Sequence, residues 1–98
     1  MGGKLVRDRI PELFGGQATR IQSDADYLGA LRAKLSEETG EYLAAGEASE
    51  RQMELVDILE VLLALARQHG LTPTDLERLR AVKATERGTF AARLWWNP

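Results

Sequence analysis

The feature that most constrains the fold is a run of apolar residues, MELVDILEVLLALA, from Met53 to Ala66. It contains neither glycine nor proline, and its leucines recur at the three- and four-residue spacing of a helix instead of alternating as in a half-buried strand. On a helical wheel, Leu55, Leu59 and Leu62 form one face, while other apolar residues cover both flanks. A helix that is apolar nearly all round must be surrounded by other elements.

The chain is too short to surround such a helix by itself. Its 98 residues predict a single domain, over residues 1–98, that buries only about 60 to 65% of the surface exposed by the unfolded chain. The core is therefore expected to be small. We predict that the apolar helix packs against a second copy of the chain as well as against its own neighbours.

Capping signals divide the rest of the chain into helices and an N-terminal arm, residues 4–14. The arm is predicted to be irregular, with one helical turn after Pro11. Long helices are predicted from Ser23 to about Ala45, from Ser49 to His69 and from Pro73 to Gly88, with Ser23, Ser49 and Thr72 as the capping residues. This pattern predicts a compact antiparallel all-α domain, three main helices plus the arm, that associates into a helical-bundle dimer or higher oligomer.

Composition excludes several classes of function. A net charge of −2 gives no electrostatic reason to expect a nucleic acid or a membrane surface as partner. No apolar run approaches the roughly 18 residues of a membrane span, and MGGKLVRDRIPE lacks the apolar core of a secretion signal, so a cytoplasmic location is expected. Without cysteine, a metal must be bound by oxygen atoms or by His69.

Acidic residues interrupt the apolar face of the first long helix. In LRAKLSEETGEYL, residues 31–43, the apolar series that includes Leu31 and Leu35 continues to Glu38. At 100° per residue, Glu38 lies inside the apolar arc, Glu41 about 60° away at its edge, and Glu37 about 100° away. Glu38 is therefore predicted to point inward.

A second acidic pair lies on the following helix. Glu54 and Asp57 are about 60° apart on the wheel, and a short turn containing Gly46 makes the two helices neighbours. The two pairs can then face each other across one groove. A lone E-x-x-E is usually solvated surface, but two facing pairs in apolar surroundings are a stronger signal of a site.

Such a cluster needs positive charge. Two carboxylates about 5 Å apart repel by roughly 3 kcal/mol at an effective dielectric of 20, and each buried ion also loses several kcal/mol of hydration. Lys34 alone cannot balance four acids, so either some are protonated or cations bind. Oxygen ligands suit Mg²⁺, and two ions about 3.5 to 4 Å apart would permit metal-assisted phosphoanhydride hydrolysis.

Other polar residues are secondary candidates. Glu37 and Glu60 are either supporting groups behind the ligands or ordinary salt-bridge partners. Basic residues that could bind a polyphosphate, or pair with surface acids, are Lys4, Arg7, Arg9, Lys83 and Arg87. His69 is interpreted as a cation at a helix C-terminus, not as a catalytic base. Trp95 and Trp96 could cap the core, cover a subunit contact or stack on a base.

Four segments together resemble one family: KLVRDRIPE, KLSEETGEYL, ELVDILEVLLAL and the pattern K-x-x-x-R-G-x-F. The chain is similar to the MazG-like all-α nucleoside triphosphate pyrophosphohydrolases, and within them to the small phosphoribosyl-ATP pyrophosphohydrolase-like branch. The resemblance implies a helical dimer or larger assembly that hydrolyses a nucleoside triphosphate to the monophosphate and pyrophosphate with Mg²⁺, or with Mn²⁺ as a substitute. Removal of unwanted nucleotides from the pool is one role of such an activity.

The resemblance also assigns residues. The family pattern E-x-x-E followed by E-x-x-D corresponds to Glu38, Glu41, Glu54 and Asp57 as catalytic metal ligands. Met53 stands where relatives often have a further acid. Lys34, the basic residues of the arm and Lys83 and Arg87 are then predicted to bind the phosphates or the nucleotide.

Three other functions stay open at the level of sequence. One is hydrolysis of phosphoribosyl-ATP in histidine biosynthesis, as the name of the branch suggests. Another is a nucleotide- or metal-binding regulatory module without turnover. The last is a purely structural helical dimer, which would show no dependence of its melting temperature on metal.

Overall fold

A computed structural model describes residues 3–98 of the chain. This part consists of four α-helices and contains no β-strand. The helices are α1 (Ile10–Phe14), α2 (Asp24–Ala44), α3 (Ala48–Gln68) and α4 (Pro73–Arg87). The predicted all-α class is confirmed, including the short helical turn in the arm.

Two of the three predicted helix starts are formed by the predicted capping residues. The Ser23 hydroxyl accepts a hydrogen bond from the backbone N–H of Asp26 at 3.0 Å. At α4 the cap is reciprocal, since the Thr72 hydroxyl accepts from the Asp75 N–H at 3.1 Å and the Asp75 carboxylate accepts from the Thr72 N–H at 3.0 Å. This backbone hydrogen bond, aided by Arg78, lowers the pKa of Asp75 to about 2.

The predicted start of α3 at Ser49 is wrong. The helix begins at Ala48, and its capping residue is Glu47, which makes no side-chain capping bond. Ser49 therefore lies within the first turn. The connection between α2 and α3 is held instead by Arg51, whose guanidinium donates to the carbonyl oxygens of Ala45 at 3.1 Å and Gly46 at 3.2 Å.

The core lies between α2 and α3, and α4 contacts α3. Among residues 3–98, the buried apolar side chains are Leu31, Val61 and Ala66, so the predicted small core is confirmed. The radius of gyration is 16.6 Å, against about 13 Å for a typical globular domain of this length. No helix of the described chain is both long enough and apolar enough to cross a membrane.

The apolar helix α3 is only partly covered. Its face opposite Asp57 stays open, with Leu55, Leu59 and Leu62 exposed by 52%, 53% and 39%. The tail after α4 is open as well: Trp95 and Trp96 are 88% and 82% exposed and do not cap the core of their own chain. A substantial apolar surface therefore lies outside the contacts that one copy makes.

The caps give a prediction with a matched control. Thr72→Ala removes one half of the reciprocal cap and is expected to lower the free energy of unfolding by about 1 kcal/mol. Ser49→Ala, which changes a serine that caps nothing, should leave it within about 0.5 kcal/mol of wild type. Urea denaturation followed by circular dichroism measures both, and equal losses would show that Ser49 does cap α3.

Candidate metal centre

Helices α2 and α3 bring acidic side chains from both predicted pairs together. Carboxylate oxygens of Glu38, Glu54 and Asp57 lie within 4.8 Å of one another, as do those of Glu37, Glu38 and Glu41. Glu38 belongs to both sets and joins them. The acid cluster consists of these five residues: Glu37, Glu38, Glu41, Glu54 and Asp57.

Glu38 is the buried centre of the acid cluster. It lies seven residues after Leu31, which places the two side chains within about 20° on the face of α2 that meets α3. Leu31 is 3% exposed and Glu38 is 7% exposed. The helix that buries a leucine therefore buries a carboxylate two turns later, as the sequence predicted.

Lys34 supplies one positive charge from within α2. Its ammonium lies 3.3 Å from a Glu37 oxygen and 3.4 Å from Glu38 Oε1. Burial by itself lowers the pKa of Lys34, but the two glutamates outweigh it and the pKa is raised above its ordinary value. Hydrogen bonding to Lys34 correspondingly lowers the pKa of Glu37. Glu37 thus acts as a salt-bridge partner next to the buried carboxylate.

One lysine leaves carboxylate oxygens without partners. Glu38 Oε2 and Glu54 Oε2 are buried and make no hydrogen bond. Loss of contact with water, and then the neighbouring acids Glu38 and Glu41, raise the pKa of Glu54 to about 7. A buried carboxylate oxygen without a donor is costly, and a proton or a cation between the helices removes that cost. These oxygens fit a hard divalent cation such as Mg²⁺.

The N-terminal arm supplies two further charges. Arg7 Nη2 donates to Asp57 Oδ1 at 2.6 Å, and Lys4 Nζ lies 3.4 Å from Glu37 Oε1. The sequence indicated that these arm residues are cations suited to phosphate, but not that they contact the acid cluster. Because the partners are 50 and 33 positions apart, no local spacing could reveal the pairing.

A cavity of about 700 Å³ lies beside Glu38 and Asp57, between the arm and the two helices. Its basic lining residues are Lys4, Arg7, Lys34 and Arg67. Arg67 was missed in the sequence, although its spacing from Asp57, ten residues earlier, places it about 80° away on α3. A larger cavity of about 1180 Å³, which shares lining residues of the arm with the first, contains none of the acid cluster.

The remaining candidates lie at the edge of this site or outside it. Glu41 is exposed, and Glu60 is exposed but lines the cavity. Arg9 donates to Glu12 at 2.7 Å within the arm. Lys83 and Arg87 are exposed on α4 and do not line the cavity, and His69 caps the C-terminus of α3. Within one chain, the geometry therefore groups Lys4, Arg7 and Lys34 with the acids, but not Arg9, Lys83 or Arg87.

Comparisons with protein-family models, with curated proteins and with solved structures find no match to this chain. The resemblance to the MazG-like family therefore stays a prediction that rests on the four sequence segments.

The raised pKa of Glu54 predicts how stability depends on pH in the absence of metal. Because the folded state retains the Glu54 proton up to about pH 7 while the unfolded chain loses it near its ordinary value of 4.5, stability falls as pH rises between these values. Thermal melts in a chelator should show this loss. Glu54→Gln should flatten the profile, whereas Glu50→Gln, in the exposed first turn of α3, should not.

Superimposable profiles for wild type and Glu54→Gln would contradict the assignment. They would show that Glu54 is hydrated and not crowded by Glu38 and Glu41.

Proposed function

We propose that this protein is a Mg²⁺-dependent nucleoside triphosphate pyrophosphohydrolase, which releases a nucleoside monophosphate and pyrophosphate. The observation that supports it best is the convergence of Glu38, Glu54 and Asp57 oxygens within 4.8 Å, two of these residues having buried oxygens with no hydrogen-bond partner. The E-x-x-E and E-x-x-D resemblance is the second support. Mn²⁺ is proposed as a substitute for Mg²⁺.

The acid cluster has the chemistry of a divalent ion site. Glu38, Glu41, Glu54 and Asp57 offer only carboxylate oxygens, which Mg²⁺ prefers, and they come from two neighbouring helices joined by residues 45–47. So short a connection between two long contacting helices favours the antiparallel arrangement. It also makes the site depend on the packing of α2 against α3.

The adjoining cavity supports a polyphosphate substrate. Cationic side chains of Lys4, Arg7, Lys34 and Arg67 line it next to the acids. A triphosphate is polyanionic, so its phosphates would pair with these side chains while its oxygens share cations with the carboxylates. Its volume of about 700 Å³ lies in the range of pockets that hold small-molecule ligands.

In the proposed reaction, the oxygen of a water molecule bonds to the α-phosphorus and the bond to the bridging oxygen breaks. Pyrophosphate leaves with that oxygen, and a carboxylate of the acid cluster accepts the proton of the water. Bound Mg²⁺ would supply charge to the phosphates and make the water more acidic. Glu38, Glu41, Glu54 and Asp57 would hold the ion, and the basic residues would bind the phosphates.

Self-association is part of the proposal. The exposed leucines of α3 form an apolar face on the side away from Asp57, where a second copy could cover them without blocking the cavity. We propose a homodimer, or a tetramer built from it, with α3 at the contact.

The assignment predicts a large loss of activity without Glu38 or Asp57. Pyrophosphate release from a panel of standard and modified nucleoside triphosphates with Mg²⁺ should be measured for wild type, Glu38→Gln and Asp57→Asn. Because each variant removes a charged ligand, kcat should fall by at least about 100-fold. Glu77→Gln, which loses an exposed ion pair with Arg80, should retain wild-type activity.

Several outcomes separate the alternatives. Activity that survives both ligand variants would refute the site. Nucleotide that stabilises the protein, by about 2.7 kcal/mol at 100 times its Kd, but yields no product would favour a regulatory module. Rescue of a histidine auxotroph would favour phosphoribosyl-ATP as substrate.

The proposed contact through α3 predicts that Leu59→Glu dissociates the oligomer. A charge on the buried face of a subunit contact loses its hydration, so the mass in solution should fall to that of a single chain. Leu13→Glu, at an exposed position in α1, is the control and should leave the mass unchanged. Analytical ultracentrifugation measures both, and an unchanged oligomer in Leu59→Glu would place the contact elsewhere.

A further inference from the structure

The N-terminal arm contacts the acid cluster through two salt bridges. Arg7 binds Asp57 at 2.6 Å and Lys4 lies 3.4 Å from Glu37. In the described chain, the backbone hydrogen bonds of the arm stay within it, as in the bond from the Ile10 N–H to the Arg7 carbonyl, and none reaches α2 or α3. The arm therefore depends on side-chain contacts for its position.

Asp57 has two competing uses. It contributes a carboxylate oxygen to the set formed with Glu38 and Glu54, and the same carboxylate already accepts a hydrogen bond from the Arg7 guanidinium. A divalent cation at this set and a guanidinium on the same carboxylate repel each other at a separation of a few Å. The two cations therefore weaken each other's binding to Asp57.

Arg7 can leave more readily than Lys34. Lys34 is 16% exposed, sits within α2 and contacts Glu37 and Glu38 together, so its displacement would disturb a packed helix. Arg7 is 50% exposed and lies in a non-helical segment, so its displacement breaks no helix. The guanidinium also lines the cavity, where phosphates of a substrate would be its nearest alternative partners.

We propose that Arg7 is an internal counter-cation of the acid cluster, which gives up Asp57 when a divalent ion binds and then binds a phosphate of the substrate. This inference rests on the proposed function in taking Asp57 as a metal ligand. Free metal must then compete with Arg7 for Asp57. Metal that binds together with a polyphosphate meets less competition, because Arg7 can bind a phosphate instead. The site thus favours the metal–nucleotide complex over the metal alone.

If Arg7 moves from Asp57 to phosphate, one substitution at Arg7 changes the affinities for two ligands in opposite directions. Arg7→Gln should bind Mn²⁺ alone roughly fivefold more tightly than wild type, the factor that corresponds to an exposed ion pair of about 1 kcal/mol. The same variant should bind the Mg²⁺ complex of inorganic tripolyphosphate about tenfold more weakly, since it loses a charge-assisted contact to phosphate. A merely structural role would weaken both.

The measurements do not require turnover. Free Mn²⁺ is followed by electron paramagnetic resonance during titration of the full chain, and tripolyphosphate binding by calorimetry at saturating Mg²⁺. Arg20→Gln is the matched control because it removes an arginine from another non-helical segment that does not line the cavity beside Asp57. Both of its affinities should equal those of wild type.

Three results would each overturn a different part of this role for Arg7. If wild type binds Mn²⁺ and Arg7→Gln binds it equally or less tightly, Arg7 does not compete and this inference alone is overturned. If tripolyphosphate binding is unchanged in Arg7→Gln, the transfer of Arg7 to phosphate is overturned. If neither wild type nor Arg7→Gln binds Mn²⁺, alone or with tripolyphosphate, Asp57 is not a metal ligand, and the proposed function falls together with the inference.

Discussion

The burial of the Glu38 carboxylate between α2 and α3 is the constraint on which the rest of the site depends. The face that buries Leu31 also buries Glu38, so packing the two helices forces a charge into the contact. Glu54 and Asp57 approach it from α3, and Lys34 balances only part of their charge. Packing and electrostatics therefore oppose each other here, and a proton or a cation between the helices would remove the cost of the buried charge.

This opposition explains the distribution of positive charge around the acid cluster. Lys34 is fixed by its helix, whereas Arg7 reaches Asp57 from a segment that, within residues 3–98, no backbone hydrogen bond ties to α2 or α3. Even so, burial and then the neighbouring Glu38 and Glu41 raise the pKa of Glu54. Under the proposed function, a metal ion would add a further positive charge at this cluster, and the basic cavity beside it would bind a polyphosphate.

The small size of the core explains why α3 keeps an exposed apolar face. A small domain gains little from burial, and here the apolar side chains of α3 are divided between a covered face and an open one. The covered face positions the acids, and the open face is free for self-association. The proposed dimer would thus stabilise the helix that provides Glu54 and Asp57 without occupying their groove.

The sequence by itself determined the helices and the inward direction of Glu38, because both follow from the three- to four-residue period and from local caps at Ser23 and Thr72. It misplaced the start of α3, where Arg51 holds the turn and Ser49 caps nothing. Only the tertiary structure decided that Arg7 and Lys4 meet the acids, and that Arg9, Lys83 and Arg87 do not line the cavity. Helical period acts over neighbouring turns, whereas contacts between an irregular arm and two helices depend on the path of the chain in space.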